Sequence, residues 1–403
     1  MSILSGKKIL LGVTAGIAAY KTANLVRLFI KSGAEVKVIM TPAAKDFITP
    51  LTLSTLSKNQ VHSSFTNEED ENAVWNNHVE LGLWADLFVI APATANTLAK
   101  MSSGVCDNLL MATYLSAKCP VYFAPAMDLD MYKHKSTKNS FAKLSEYGNI
   151  MIPATSGELA SGLVGEGRMA EPEDIVEFIE KDILNKLPLK GKHVLITAGP
   201  TYEAIDPVRF IGNHSSGKMG FEIAKAAANA GAEVELITGP SKEMVSHSLI
   251  NVTRVVSGDE MYNEAHKHFN STDIAILSAA VADYKPKFVA NQKIKKKDSS
   301  LTIELEKTKD ILRSLGEIKS SQFLVGFALE TNDELENAKG KLQSKNLDLI
   351  VLNSLNDKGA GFGVSTNKVT FITKAGEVLE NGLKSKTEVA EDLIALITTK
   401  IHA

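Results

Sequence analysis

The side chains best suited to hold an anion lie in one short segment, DPVRFIGNHSSGKMG at 206–220. Between Asn213 and Lys218 this segment combines amide, hydroxyl and ammonium donors with a glycine, at the predicted start of a helix. The backbone N–H groups of a helix start, together with such side chains, bind phosphate or carboxylate groups well. The segment is not a Walker loop, because it lacks that motif's glycine and Lys-Ser/Thr spacing. It indicates a site for an anionic ligand of another kind.

More charged groups follow in the same half of the chain. VADYKPKF at 281–288 carries an acid, and KIKKK at 293–297 is a cluster of lysines. GFALET at 326–331 and two lysines on one predicted helix face, Lys341 and Lys345, complete the set. The lysine cluster has a simpler interpretation, as the solvated edge of a strand that its charge protects from aggregation.

The first half of the chain offers a histidine and two carboxylates. His78 precedes a buried strand whose end carries Thr94 and Asn96, and ligands of open α/β sheets bind at such strand ends. His78 could take part in catalysis or cap a helix. Asp128 and Asp130 alternate on a loop after the next strand. They could bind a metal, cap the following helix or act as acid and base.

These residues are positioned by a pattern that the chain contains twice. Lys7–Lys21 and Gly191–Ile205 each begin with a basic residue, an apolar strand and a glycine turn. An alanine-rich helical pattern follows each, and both end in GAEV, at 33–36 and 231–234, before a second apolar strand. The repeat predicts two α/β domains with open parallel sheets of the Rossmann type.

Neither copy is a dinucleotide-binding fingerprint. The first reads Gly12-x-x-x-Gly16, and the second has Pro200 where the loop should enter a helix. The second strands end in Met40-Thr41 and Ile237-Thr238, without the acidic residue that binds a ribose in NAD sites. Hydroxyls and backbone amides at a strand end suit a phosphate monoester, as in flavin mononucleotide. A two-domain NAD(P)-dependent oxidoreductase, a second rival interpretation of the chain, is therefore disfavoured.

Composition and length limit the other possibilities. The chain has 403 residues, 44% of them hydrophobic and 23% charged, which fits two soluble domains. A net charge of −3 gives no reason to expect nucleic acid, and two cysteines fit a reducing cytoplasm. The apolar stretch near the N-terminus could be taken for a signal peptide, but its recurrence in mid-chain argues against that, and no run is long enough to span a membrane.

The domain boundary is predicted near residues 187–191. A helix over 171–187 begins with Pro172 and ends before Pro188, after which the second copy starts. The predicted domains are 1–187 and 188–403. Before this helix, the glycine-rich stretch 156–170 is predicted to be a surface flap or binding loop. Further strands are predicted at 87–92, 120–127, 273–279, 301–307, 323–329, 348–353 and 368–373, and a final helix at 385–401.

Taken together, the motifs resemble the bifunctional bacterial enzymes of coenzyme A synthesis, in which phosphopantothenoylcysteine decarboxylase is fused to phosphopantothenate–cysteine ligase. The resemblance spans nearly the whole chain. The first half contributes GVTAGIAAYKT, TPAAKDFITPLTL, APATANTLAK, PAM-x-x-x-MY and GEGRM, and the second TAGPT-x-E-x-IDPVRFI, NHSSGKMG, AAVADY, KIKK and NLDLIV. It implies a flavin-dependent cysteine decarboxylase fold followed by a phosphopantothenate–cysteine ligase fold.

For the second half, the resemblance implies a reaction of 4'-phosphopantothenate, L-cysteine and CTP. The substrate carboxylate attacks the α-phosphate of CTP to form an acyl-cytidylate, and the cysteine amine then displaces CMP. Asn213 would hold the acyl intermediate, Lys293 would act in its formation, and Mg²⁺ would bridge the phosphates. The sequence alone does not distinguish CTP from ATP. The residues implied to contact CTP are Asp283, Lys293, Lys309, Asp310, Ile311, Leu312, Phe327, Lys341 and Lys345.

For the first half, the resemblance implies decarboxylation with FMN. In this family FMN oxidises the cysteinyl unit to a thioaldehyde, carbon dioxide leaves, and the electrons return to the enethiol. His78 matches the family's active-site histidine. The family also implies homo-oligomers, with trimer-based decarboxylases and dimeric ligases. The residues implied to hold FMN are Thr14, Gly16, Thr41, Thr94, Ala95 and Asn96.

Two catalytic positions depart from the family pattern. Asp128 stands where an asparagine usually binds the substrate carboxylate, and Ser161 where many members have a proton-donating cysteine. Two carboxylates at ~4 Å repel by roughly 4 kcal/mol at an effective dielectric near 20, which would slow a reaction on the order of a thousandfold. Asp128 therefore has to be protonated or bind another group. A protonated Asp128 could replace the missing thiol as proton donor. A ligase fused to a catalytically silent flavin-binding module is the alternative.

Overall fold

The computed structural model describes residues 2–66, 75–295, 301–330, 332–354 and 364–402. The chain divides into two compact units, Met1–Leu184 and Asn185–Ala403. In the described ranges, no helix is both long and apolar enough to cross a membrane.

The first unit is a parallel sheet with helices on both faces. Its helices are α1 (Thr22–Lys31), α2 (Pro50–Ser57), α3 (His78–Trp84), α4 (Ala95–Ser103), α5 (Leu109–Ser116), α6 (Leu129–Lys133), α7 (Lys135–Glu146) and α8 (Pro172–Lys186), with 3₁₀ turns at Ile17–Lys21 and Pro42–Asp46. Its strands are β1 (Lys8–Val13), β2 (Glu35–Met40), β3 (Val61–His62), β4 (Leu87–Ala93), β5 (Val121–Pro125), β6 (Ile150–Met151), β7 (Thr155–Glu158) and β8 (Val164–Arg168).

Six of these strands form the sheet, in the order β3-β2-β1-β4-β5-β6, and all pairs are parallel. Alternate residues of β1 enter two different hydrophobic cores: Ile9 and Leu11 pack on one face and Leu10 on the other. Continuous apolar strands are expected when both faces of a parallel sheet are covered. The sheet order reverses direction between β1 and β4, which is where open α/β sheets bind ligands.

The second unit repeats this arrangement. Its helices are α9 (Lys218–Asn229), α10 (Gly258–Phe269), α11 (Ile311–Ile318), α12 (Glu334–Ser344) and α13 (Lys386–Ile401). Its main sheet contains β9 (His193–Ala198), β12 (Glu233–Thr238), β13 (Ile250–Arg254), β14 (Ile274–Leu277), β17 (Phe323–Glu330), β18 (Leu349–Ser354), β20 (Val369–Thr373) and β21 (Val378–Glu380). Three small antiparallel ribbons pair β10 (Tyr202–Ala204) with β11 (Phe210–Gly212), β15 (Tyr284–Pro286) with β16 (Leu305–Lys307), and β19 (Thr366–Asn367) with β22 (Lys384–Ser385).

The main sheet has the order β13-β12-β9-β14-β17-β18-β20-β21. Its first six strands are parallel, and β20 and β21 add an antiparallel edge. If the first six strands are numbered by their place in the chain, their order matches that of the first unit. The predicted fold class, two Rossmann-like parallel-sheet domains in tandem, is thereby confirmed.

The repeated β-α-β half is also confirmed. In the first unit Lys8 pairs with Glu35, and in the second His193 pairs with Glu233, so the two halves share one register. Gly33 and Gly231 both have positive φ, at 86° and 97°, just after their helices. Glycine adopts this conformation without a steric penalty, which explains why both copies contain GAEV.

One local prediction was wrong, and a second is tested only in part. The strand predicted over 301–307 spans only Leu305–Lys307, in a ribbon outside the main sheet; residues 301–304 belong to no strand, and Leu301 among them is 53% exposed. In the lysine cluster, residues 293–295 belong to no strand, and the remaining residues lie outside the described ranges. Pro200 marks the place where the ribbon β10–β11 separates β9 from α9.

Candidate functional site

The first unit contains a cavity of about 960 Å³ at the carboxyl ends of its central strands. The loops after β1, β2, β4 and β5 form its walls, and the turn between β7 and β8 contributes a further side. These are the loops in which the sequence placed a flavin and a substrate. Of the predicted residues, Gly16, Thr41, Thr94, Ala95, Asn96, Asp128 and Ser161 line the cavity.

Three helical segments begin at this cavity without a side-chain cap. Gly16 precedes the turn Ile17–Lys21, Thr41 precedes the turn Pro42–Asp46, and Thr94 precedes α4. The first N–H groups of a helix have no partner within the helix, and a cap normally satisfies one of them. Three uncapped starts in one cavity therefore present several backbone donors to a ligand, which is the environment a phosphate group requires.

Two threonine hydroxyls lie behind or beside these helical starts, and they differ in their partners. Thr14 is fully buried and does not line the cavity; its hydroxyl donates to the Pro92 carbonyl at 2.7 Å and accepts from the Thr94 amide at 3.2 Å. Thr14 thus positions Thr94. The Thr41 hydroxyl oxygen is buried and has no hydrogen-bond partner among the described residues. Leaving a buried polar atom unpaired costs about 1–3 kcal/mol, so this cavity fits a polar ligand that bonds to Thr41.

Asp128 lies on the loop after β5 and caps α6. Its Oδ1 accepts a hydrogen bond from the Leu129 amide at 2.6 Å. The preceding amide, of Met127, donates to the Gly167 carbonyl at 3.0 Å. Gly167 has φ 128°, and a Cβ there would lie 2.4 Å from the Met127 carbonyl oxygen. Only glycine therefore allows the two segments to approach so closely.

The stretch predicted as a flap is a hairpin, β7 paired with β8, whose base is attached to the Asp128 loop by this contact. Ser161 lies in the exposed turn of the hairpin and faces the same cavity as Asp128. The two positions that depart from the family pattern are therefore brought together in one site.

The basic side chains that line the cavity are paired with carboxylates. Lys21 lies 2.8 Å from Glu171, Arg168 2.7 Å from the same Glu171, and Lys100 2.5 Å from Asp107. The hydrogen bond from Lys21 holds the pKa of Glu171 below its usual value. The sequence pointed to Arg168 in the glycine-rich stretch, but it did not predict the pair of Lys21 with Glu171, which are 150 residues apart in the chain.

His78 does not line this cavity. It is the first residue of α3, which Asn77 caps, and its ring meets Phe65 edge-on at 6.2 Å between centroids. Its Nδ1 is buried without a hydrogen-bond partner in the described part of the chain. Val79 and Leu83 on the same helix are 43% and 57% exposed. The single chain therefore does not bring His78 into the site that contains Asp128.

The second unit has a smaller cavity of about 140 Å³ at the start of α9. Gly217, with φ 84°, caps this helix without a side chain, and Ser278 closes the opposite side. Lys218 and Lys386 both line the cavity, and Lys386 is only 5% exposed. Burial and the neighbouring Lys218 charge lower the pKa of Lys386. A helix start and two lysines thus line this cavity, and the sequence did not single out Lys386.

Asn213 and Phe327 lie at this end of the sheet. The Asn213 side-chain amide donates to the carbonyls of Ala280 and Val281, at 3.0 and 3.2 Å. Phe327, on β17, lines the small cavity. Asn213 thus lies at the carboxyl end of β14. A residue that contacts an acyl group is expected at this end of the sheet.

Other residues predicted to contact CTP form a group around α11 and α12. Lys345 lies 2.8 Å from Asp310, and Lys341 lies 2.5 Å from Glu330. Burial acts to raise the pKa of Asp310, but the hydrogen bonds and charges of Lys345 and Arg313 together outweigh it and lower that pKa. Lys309 lies over the Tyr262 ring, 4.6 Å from its centroid. These lysines already have partners, which a nucleotide would have to replace or share.

Ile311 and Leu312 belong to the hydrophobic core. Ile311 is 4% exposed, and Leu312 packs against Gly326 beneath β17. The Ile311 side chain therefore faces the core, and the Leu312 side chain is partly buried against it. Asp283 is exposed, and its carbonyl accepts from the Thr308 amide at 3.0 Å.

Lys293 lies on a loop that Asp206 holds in place. The Asp206 carboxylate, on a residue only 2% exposed, accepts from the backbone amides of Val208 and Arg209 and from the Arg209 guanidinium. It also accepts from the Ile294 amide at 3.0 Å, and Arg209 donates to the Ile294 carbonyl at 3.1 Å. The Arg209 hydrogen bonds lower the pKa of Asp206 strongly. We name this arrangement the Asp206 clamp.

No group of three or more His, Cys, Asp or Glu side chains that could hold a metal ion occurs among the residues that the structure describes.

Comparison with known proteins gives matches for both units. The family described as Flavoprotein matches residues 2–184, and the DNA/pantothenate metabolism flavoprotein C-terminal domain matches residues 189–401. A cysteine/cysteine sulfinic acid decarboxylase from an unknown prokaryotic organism is 53% identical over 360 residues, covering 88% of this chain and 100% of that protein.

The coenzyme A biosynthesis bifunctional protein CoaBC of Bacillus subtilis (strain 168) is 44% identical over 394 residues, 97% of each chain. Among solved structures, the C-terminal domain of a coenzyme A biosynthesis bifunctional protein CoaBC has 43% identity and a TM-score of 0.47. It covers 54% of this chain and 99% of its own.

Proposed function

The chain belongs to the family of coenzyme A biosynthesis bifunctional proteins, and on that premise we propose that residues 1–187 form its decarboxylase and residues 188–403 its ligase. It is a bifunctional enzyme of coenzyme A biosynthesis, a flavoprotein that performs a ligation and a decarboxylation. The observation that carries this function is the match to a bifunctional relative at 44% identity over 97% of both chains. A silent flavin-binding module fused to a ligase is not favoured.

For the ligase we propose the substrates 4'-phosphopantothenate, L-cysteine and CTP. The carboxylate of the first attacks the α-phosphate of the nucleotide, because a carboxylate does not react with an amine until it carries a leaving group. Asn213 would contact the resulting acyl-cytidylate, and Lys293 would offset the charge that develops on the phosphates. Mg²⁺ would enter with the nucleotide, bound chiefly through phosphate oxygens.

The small cavity supports a place for the nucleotide phosphates. The uncapped start of α9 and the cations of Lys218 and Lys386 face one space. Lysines are suited to bind the distributed charge of a triphosphate. Phe327 at the wall of the cavity would contact the base or ribose.

For the decarboxylase we propose FMN as the flavin. The three uncapped starts at Gly16, Thr41 and Thr94 would hold its phosphate, together with the Thr41 hydroxyl. Ala95 and Asn96, at the start of α4, would contribute backbone and amide donors. Bound there, the flavin would supply a reversible two-electron acceptor for the cysteinyl carbon and sulphur atoms.

The chain's own residues would then bind the substrate and move its protons. Asp128 and Ser161 face the space beside the flavin site. A serine hydroxyl is a much weaker acid than a thiol, so we propose a protonated Asp128 as the proton donor of the second half-reaction. The hairpin β7–β8 would exclude water while the decarboxylated product is still reactive.

We propose that His78 completes the decarboxylase site of another copy of the chain. Its buried Nδ1 has no partner in the described part of this copy, and the exposed Val79 and Leu83 beside it offer an apolar surface. Such a contact would account for a trimer-based decarboxylase, and the ligase would associate separately as a dimer. A sedimentation measurement on the full chain tests the oligomeric state.

Free cysteine is a second candidate substrate of the decarboxylase. A relative with 53% identity is a cysteine/cysteine sulfinic acid decarboxylase, and the alignment covers the whole of that protein. The proposed ligase needs cysteine as well, so both halves would then draw on one compound.

The test of the proposed function uses purified protein with 4'-phosphopantothenate, cysteine, CTP and Mg²⁺, and products are identified by mass spectrometry. We expect pyrophosphate, CMP, carbon dioxide and 4'-phosphopantetheine. Replacing CTP by ATP in a parallel reaction shows which nucleotide is used. Accumulation of phosphopantothenoylcysteine without carbon dioxide would instead support the silent flavin module.

A further inference from the structure

The cavity of the first unit contains two carboxylates without a cationic partner in the described ranges. Asp128 accepts one backbone hydrogen bond, from Leu129, and Glu158 takes part in no ion pair. The lysines and the arginine that line the same cavity are all engaged with Glu171 or Asp107. Lys21 and Arg168 share the single carboxylate of Glu171, so the three cations and the four carboxylates of Glu171, Asp107, Asp128 and Glu158 leave one net negative charge at the cavity.

This charge has a different effect on two kinds of cysteinyl substrate. The nitrogen and the carboxylate of a cysteine share one carbon atom, so a substrate whose carboxylate approaches Asp128 brings its nitrogen close as well. In an N-acylated cysteine this nitrogen is a neutral amide, and only the repulsive carboxylate is charged. In a free amino acid the nitrogen is an ammonium group, which pairs well with a carboxylate.

We propose that Asp128 is an ammonium-binding residue and that this cavity takes thiol amino acids with a free α-ammonium, of which cysteine is the simplest, in addition to N-acylated cysteine. The inference rests on the proposed decarboxylase function of this unit. Asp128 then has two roles. Beside an acylated substrate its carboxyl group carries a proton, whereas beside a free amino acid it is a carboxylate that pairs with the ammonium group. Glu158, on the hairpin, adds to the negative potential.

The reaction with cysteine is balanced without a further reagent. The bond from Cα to the carboxylate breaks, carbon dioxide leaves, and a C–H bond forms at the same carbon to give cysteamine. One proton is consumed for each carbon dioxide, and it comes from solvent, because Asp128 is ionised beside the ammonium group. Two electrons pass from the substrate to the flavin before cleavage and return after it, so there is no net oxidation.

The test compares cysteine with N-acetylcysteine in the full-length, flavin-loaded protein without oxygen. The initial rate of flavin bleaching isolates the first half-reaction, which does not depend on the later proton donor. We expect kcat/KM to favour cysteine by at least tenfold in the wild type, and Asp128→Asn to reduce that preference by at least tenfold. Asp128→Ser, which also removes the charge but retains a good helix cap, should behave in the same way.

Binding supplies a readout that is independent of turnover. Calorimetry with L-serine and N-acetyl-L-serine, which lack the thiol, should give a loss of serine affinity in both Asp128 variants and a gain of N-acetylserine affinity. Glu158→Gln is the matched control and should change the preference by less than either Asp128 variant, while Ser161→Ala should leave it unchanged.

Equal preference in wild type and both Asp128 variants would overturn the inference. Turnover of N-acylated cysteine with no detectable turnover of cysteine would overturn it as well, and would leave the proposed decarboxylase function intact. If no cysteinyl substrate bleaches the flavin, the proposed function of this unit is wrong. In that case a serine affinity that is the same in the wild type and in both Asp128 variants would separately overturn the inference.

Discussion

The two units share a sheet order but hold their ligands by different means. In the first, β1 leads through a short 3₁₀ turn into α1, so that loop backbone faces a cavity of about 960 Å³. In the second, the ribbon β10–β11 lies between β9 and α9, and the cavity at the start of α9 is about 140 Å³. The two units therefore share the repeated half and differ in the loops that line their cavities.

The charges of the two cavities differ as well. The first offers uncapped backbone donors, paired cations and two unpaired carboxylates in the described part of the chain. The second adds the cations of Lys218 and Lys386 to a helix start. We propose one phosphate group and a small zwitterion as ligands of the first cavity and a triphosphate as ligand of the second. Five experiments test this contrast.

Separating the units should give the largest effect. Residues 191–403 expressed alone should make phosphopantothenoylcysteine, remain colourless and release no carbon dioxide, because the flavin-binding loops all precede residue 170. Absorbance and product analysis measure both properties. A fragment that folds only together with the first 187 residues would contradict the independence of the units.

Asp128→Asn should impair the second half of the decarboxylation. Loss of a general acid costs roughly 10²–10⁴-fold, so with phosphopantothenoylcysteine we expect the flavin to stay reduced and the oxidised enethiol to accumulate. Stopped-flow absorbance follows the return of the oxidised flavin. Cys106→Ala is the control, since Cys106 is an exposed thiol outside the cavity lining. Reoxidation at the wild-type rate in Asp128→Asn would assign the proton to another donor.

Asn213→Asp should affect only the ligase. A carboxylate at the carbonyls of Ala280 and Val281 loses both hydrogen bonds and repels the phosphate of the acyl-cytidylate. Loss of a donor to a reacting group costs roughly 10²–10³-fold, so the reaction should stop at or before the intermediate. Pyrophosphate release and amide formation are measured separately, with Lys293→Gln as a variant that weakens the first step. Wild-type amide formation in Asn213→Asp would refute its role.

Asp206→Asn should have a moderate effect, through the position of Lys293. An amide can still accept from one backbone N–H, but it cannot pair with the Arg209 guanidinium, so the 290–295 loop loses part of the Asp206 clamp. We expect KM for CTP to rise about tenfold, equivalent to about 1.4 kcal/mol, with little change in KM for cysteine. Asp206→Glu should recover part of the loss. An equal rise in both KM values would indicate general unfolding of the unit instead.

The matched substitutions Gly33→Ala and Gly231→Ala should have the smallest effects. Each places a Cβ at positive φ, which costs about 1–2 kcal/mol, and the new atom would meet Ser5 at 2.9 Å or Leu187 at 2.8 Å. A unit of this size loses roughly 2–4 °C of Tm per kcal/mol. Calorimetry should show that each variant lowers the transition of its own unit, and a shift of both transitions by one variant would show that the units unfold together.

The repeat and the fold class could be predicted from the sequence because their signals are local. Apolar strands, alanine-rich helices and a glycine after each helix stand close together in the chain. The positions of Gly16, Thr41 and Thr94 followed from the rule that ligands bind at strand ends. The rest of the sheet order depends on pairing between strands that are far apart in the chain. No local residue pattern predicts such pairing.

The parts of the sites that the sequence did not predict depend on distant contacts. Lys21 and Glu171 are 150 residues apart, and the Asp206 clamp joins residues 88 apart in the chain. Lys386 begins the last helix, and only the folded sheet brings it beside Lys218. His78 was predicted from a motif alone, and its place relative to the flavin site stays a prediction.

The strand order also affects how the chain can fold during synthesis. Every strand that the structure describes in the first sheet ends before residue 152, so this sheet is complete in sequence before the second unit begins. At a translation rate of about 5–20 residues per second, the ribosome needs roughly 10–40 s to make the remaining residues. The sheet and α8, whose Ile175 and Ile179 complete the core of the first unit, are therefore available to fold while the second unit is still being translated.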